Sequence, residues 1–170
     1  MTRITQAILA ESVVELERMG TQAQLGLGDE IFARQPTLLG AVVVLRRFGA
    51  NDAQIGIALH VLFVAWLAMK RCEEQKKLKW PAISEDVYDQ CMQRLTARAS
   101  FAEGLPPELQ QQAIRQQTDE HKERYLLAFA LGHLRENGVL NIKSEAEKQV
   151  VLSTLGIVEC ITSSAPRTGR

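Results

Sequence analysis

The chain has 170 residues, 46% of them hydrophobic and 24% charged, and its 20 Lys plus Arg balance 20 Asp plus Glu. That length suits one domain with a core of its own, and the composition excludes wholesale disorder. Zero net charge leaves no basic excess for gripping a nucleic-acid backbone and no long-range steering toward a charged partner, so nucleic acid is not expected as a partner.

Apolar periodicity and its punctuation predict six helices. The first runs from Arg3 to Met19, with Gly20 placed in the left-handed position just past its end. Glu11, Glu15, Glu17 and Arg18 interrupt it, so it does not read as a signal peptide. The stretch 21–29, TQAQLGLGD, is expected to be a loop, with Asp29 as N-cap of a short turn over Glu30 to Arg34. Pro36 is preorganised for a first helical turn and predicts a second helix to Phe48, ended by Gly49.

Asn51 or Asp52 caps the third helix. Its apolar body, Ala53 to Met69, is at the short limit for a membrane span and contains Gln54 and His60. It therefore reads as a buried central helix that needs partners on every side. Trp80-Pro81 breaks the pattern, and Ser84 opens a fourth helix with Glu85 and Asp86 in its first turn, where the helix dipole favours carboxylates. Tyr88, Cys91, Met92, Leu95, Ala99 and Ala102 form its one-sided stripe. Pro106-Pro107 opens a long fifth helix that ends at Asn137-Gly138, polar from Glu108 to Arg124 and apolar from Tyr125 to Leu134. Ser144 and Glu147 form a capping-box pattern for the sixth helix. No stretch has strand periodicity, so the fold class is all-α: a single antiparallel bundle over 1–163, with 164–170 read as a disordered tail.

Chemistry-bearing patterns are sparse. The chain contains no Glu-x-x-His of the di-iron bundles, no His-Glu-x-x-His, no Gly-x-Ser-x-Gly elbow and no P-loop. Cys72, Cys91 and Cys160 are far apart and form no Cys-x-x-Cys pair, so they read as small apolar residues in a reducing, cytoplasmic compartment. Gly26 and Gly28 lack the preceding strand and following lysine of a phosphate loop. The basic cluster Lys70, Arg71, Lys76, Lys77 and Lys79 is diluted by Glu73 and Glu74 and sits where a helix C-terminus favours cations.

One carboxylate constellation is chemically suggestive. Asp86 with Asp89, and Glu120 with Glu123, are each three residues apart and so share a helix face. If the two pairs faced each other they could hold magnesium through oxygen ligands, as in an all-α, nucleotide-pyrophosphatase-like phosphohydrolase. Surface ion pairing explains the same residues, and the primary reading is a non-enzymatic cytoplasmic interaction or regulatory module. The apolar surplus of Leu38 to Leu45 and Ile55 to Met69 points to self-association as a twofold dimer, with an apolar-ligand pocket as the rival. Two finer expectations follow: His60 is buried, with a lowered pKa and a hydrogen-bonded ring nitrogen, and Gly40 and Gly56 mark a close approach of helices two and three.

Overall fold

The computed structural model describes residues 2–164 and 166–168. It is all-helical, 79% helix. Eight α-helices lie among the described residues: α1 Gln6–Arg18, α2 Thr21–Arg34, α3 Pro36–Val43, α4 Asp52–Lys76, α5 Glu85–Glu103, α6 Pro107–Glu120, α7 Arg124–Glu136 and α8 Glu145–Ser163. A 3-10 turn, Val44–Phe48, extends α3. Among the described residues one strand pairing is found, joining Leu78–Lys79 (β1) to Arg167–Thr168 (β2), antiparallel. This ties down part of the segment expected to be a disordered tail; Ala165, Gly169 and Arg170 of that segment lie outside the described residues.

Local chemistry sets most of the helix ends. Asn51 caps α4 with a full capping box: its side chain accepts from the Gln54 N–H, and Gln54 accepts from the Asn51 N–H. Ser84 and Ser144 accept from the N–H groups of Val87 and Glu147. Pro36 opens α3. Gly49 and Gly138 take the left-handed conformation at φ 83° and 74°, where a side chain would be strained. From Val61 to Met69 every residue of α4 is buried. The helix is long and apolar enough to cross a membrane by length and composition, and here its apolar surface packs chiefly on α1 and α8.

Four sequence expectations change. The stretch 21–29 is helix, not loop: Leu27 and Ile31, four apart, are buried on the inner face of α2, and that burial outweighs the helix cost of Gly26 and Gly28. Gly20, at φ −75°, is the N-cap of α2 rather than a left-handed cap of α1, and Asp29 sits inside α2. The second helix tightens to 3-10 geometry after Val43. The fifth helix is two helices, broken at His121–Glu123 without any glycine or proline.

Tertiary contacts account for that break. The Glu123 carboxylate is fully buried. It accepts from Arg3 Nε at 2.6 Å, Thr2 Oγ1 at 2.9 Å and the backbone N–H groups of Ile4 and Arg3 at 3.0 and 3.3 Å. The Arg3 guanidinium also donates to the carbonyls of Ser164, Thr162 and Ile161 at the end of α8 and lies over the Trp80 ring. One ion pair thus joins the N-terminal segment, the start of α7 and the end of α8. A continuous helix through residue 123 would forfeit these bonds, and leaving the carboxylate buried without them costs several kcal/mol, roughly 3–5.

The close helix approach is also relocated. A Cβ built on Gly40 or Gly56 meets nothing within 4 Å, so neither glycine marks a tight crossing. The tight crossing is at Gly156 on α8, where a Cβ would overlap Met92 Sδ of α5 and touch Tyr88.

Candidate functional site

The four carboxylates are not brought together. Asp86 and Asp89 are exposed near the start of α5, and Glu120 is exposed at the end of α6. Glu123 is buried and spends both oxygens on the N-terminal segment. No group of three or more His, Cys, Asp or Glu suited to a metal occurs among the described residues.

The three histidines occupy two sites. His121 lies beside the buried Glu159 of α8: its Nε2 is 3.2 Å from Oε1, while Arg98 Nη2 donates to Oε2 at 3.0 Å. His121 Nδ1 accepts the Glu123 N–H at 3.1 Å, so the proton belongs on Nε2 and both ring nitrogens are engaged. Burial pushes the Glu159 carboxyl up, but the bonds from His121 and Arg98 outweigh it and hold the pKa below its ordinary value. This network pins α5, the α6–α7 break and α8 together.

His60 on α4 and His133 on α7 stack at 4.4 Å between ring centroids with planes 19° apart, and Phe129 continues the ladder. Burial lowers the pKa of both; each also feels one carboxylate, Glu17 for His60 and Glu136 for His133. The lowered pKa is as expected, but His60 is only half-buried and makes no side-chain hydrogen bond among the described residues: it packs on a ring instead. Near-parallel rings point their in-plane lone pairs side by side, so this pair does not converge on one metal ion. The depression beside it, about 310 Å³, is walled by Glu17, Gln24, Gly56, Leu59 and His60.

All three cysteines are buried free thiols. Cys91 and Cys160 are neighbours across α5 and α8, and burial raises the Cys160 thiol far above its ordinary pKa. A thiol held protonated in this way is a poor nucleophile.

The remaining candidate is a surface. Most of the apolar surplus of the two central helices is covered: Leu38, Ala41, Val42 and Leu45 are buried, as is most of α4 beyond Ala58. Of those stretches Val43 and Val44 stay exposed at the α3 corner, at 62% and 37%, with Phe48 beside them at 46%; Leu25, Phe32 and Phe101 are exposed elsewhere, at 59%, 68% and 75%. Beside the α3 corner a groove of about 410 Å³ runs between α3 and the start of α5, floored by Pro36, Gly40, Val44 and Tyr88 and rimmed by Glu85 and Asp89. Gly40 is an exposed mid-helix glycine with open space where its side chain would be. Neither rim carboxylate makes an ion pair among the described residues, and neither does Arg47 next to Phe48, whereas Arg46 holds Asp52 at 2.6 Å. Sequence reasoning singled out Asp89 as one of a solvated acidic pair with a magnesium site as the alternative, and could not connect it to the groove, because the α3 side is distant in the chain.

No family model matches the chain, and neither a curated protein nor a solved structure matches it.

Proposed function

We propose that the chain is a non-enzymatic helical-bundle interaction module that pairs with a second copy of itself across the α3 corner and the α3–α5 groove. One observation carries the reading: exposed Val43, Val44 and Phe48 adjoin an apolar-floored groove whose acidic rim, Glu85 and Asp89, and whose neighbouring cation, Arg47, make no ion pair among the described residues. The charges complement each other between copies. In a twofold arrangement the 3-10 turn of one copy lies over the groove of the other, so Arg47 meets the carboxylates and Phe48 and Val43 fill the floor left open by Gly40. A twofold interface is self-complementary, which a surface with both signs of charge beside one apolar patch satisfies. Enriched aliphatic and aromatic contacts at its centre and charges at its edge follow the usual anatomy of an interface.

Sedimentation velocity on variants tests this. Val44→Glu puts a charge on the groove floor and is expected to leave only monomer at micromolar concentration. Arg47→Glu reverses the cation and is expected to weaken the dimer by several-fold, and raised salt to weaken the unaltered chain in the same direction. A dimer untouched by both substitutions, or an unaltered chain that stays monomeric, overturns the reading. A ligand-binding role for the imidazole-walled depression is favoured by no comparable observation.

A further inference from the structure

The α6–α7 hairpin carries a second feature, on different residues from the proposed dimer surface. Arg115 of α6 and Arg135 of α7 line a single depression of about 300 Å³, together with Gln111 and Ile114. No carboxylate among the described residues lines it. Five arginines, Arg3, Arg34, Arg46, Arg71 and Arg98, each hold a carboxylate within 3.0 Å, while Arg18, Arg47, Arg94 and Arg124 hold none among the described residues, so what sets Arg115 and Arg135 apart is the depression they share. Arg115 and Arg135 likewise hold no carboxylate among the described residues. The acidic groups on their own helices do not reach them. Asp119, one turn along from Arg115, and Glu136, next to Arg135, make no ion pair, and Glu120 accepts from Gln116 instead.

Two guanidiniums sharing one concavity repel each other, and an anion seated between them reverses that balance. A guanidinium is a planar fork of donors, always charged, that matches the spacing of oxygens on phosphate and carboxylate groups. Gln111 adds an amide N–H donor and Ile114 an apolar wall. The volume is at the lower end of the range for small-molecule sites. We infer that this depression is a binding site for a small polyanion bearing two or more oxyanion groups, held by Arg115 and Arg135 with one group on each guanidinium.

The inference does not rest on self-association, and its test is read on the full-length chain whatever its oligomeric state. Pyrophosphate and citrate are titrated by calorimetry at constant ionic strength, with chloride and acetate as monovalent comparisons; the first pair separates phosphate from carboxylate sources. Saturable binding of pyrophosphate or citrate, and none of chloride or acetate, is expected. Arg115→Gln and Arg135→Gln are each expected to weaken it by about tenfold or more, while Arg18→Gln, at an exposed arginine of α1, leaves it unchanged. Helicity by circular dichroism shows that each variant is folded; if either glutamine variant does not fold, Arg→Lys at the same position, which keeps the charge and removes the fork, is expected to weaken binding as well. Absence of saturable binding by either polyanion, or binding equally affected by Arg18→Gln, overturns the site.

Discussion

Replacing Glu123 with alanine removes the acceptor on which the N-terminal segment converges. Arg3 then keeps only the carbonyls of Ser164, Thr162 and Ile161, the Ile4 N–H loses its acceptor, and Thr2 keeps only the Ile4 carbonyl. Breaking a buried ion pair by removing one partner costs about 3–5 kcal/mol. Arg3 retains partial solvent access, its side chain 23% exposed, which favours the lower end, about 3 kcal/mol. For a chain of this size each kcal/mol lowers Tm by roughly 2–4 °C, so thermal unfolding followed by circular dichroism should fall by about 6–12 °C. Arg3→Ala and the double variant complete a cycle with a coupling of about 1–3 kcal/mol. A loss below about 1 kcal/mol, typical of an exposed pair, refutes the claim that this contact joins three parts of the fold and breaks the helix at residue 121.

Gly156→Val should destabilise by about 1–3 kcal/mol because the added carbons overlap Met92, and Met92→Ala should restore part of the loss; an unchanged urea midpoint contradicts the crossing. At Gly26 and Gly28, inside α2 with nothing within 4 Å of a would-be Cβ, alanine should stabilise by about 0.4–1 kcal/mol, and a lower midpoint would show contacts absent from this structure. The stacked imidazoles make stability pH-dependent. Burial lowers the folded pKa of His60 and His133, so below about pH 6.5, the unfolded value, the unfolded chain binds more protons. Their contribution is complete above that pH and is lost as pH falls through the folded values. Tm should drop from about pH 7.5 to about pH 5.5, less so in His133→Phe, and an equal drop in that variant refutes the assignment. Glu159, with its folded pKa also lowered, loses its contribution only at lower pH, below about 4.5.

What was legible in the sequence was local. Ser84, Asn51, Ser144, Pro36, Gly49 and Gly138 each act on backbone within four residues, so their signals survive without knowledge of the fold. The burial of α4 was legible because so little of it is polar. α2 was not, because its inner face rests on Leu27 and Ile31 alone while its glycines mimic a loop. Nor was the break at His121–Glu123, which owes its existence to Arg3 and Glu159, more than thirty residues away on either side. At the candidate site, Asp89 was visible as a carboxylate in the first turns of a helix, but its place beside Gly40 and Val44 across the groove was not.

Light scattering after size exclusion, on the unaltered chain at low micromolar concentration, bears most directly on the proposed self-association. A mass of twice the 19.0 kDa chain, falling toward the single-chain value on dilution or in Val44→Glu, is the predicted result. A mass of 19.0 kDa that does not change with concentration contradicts it.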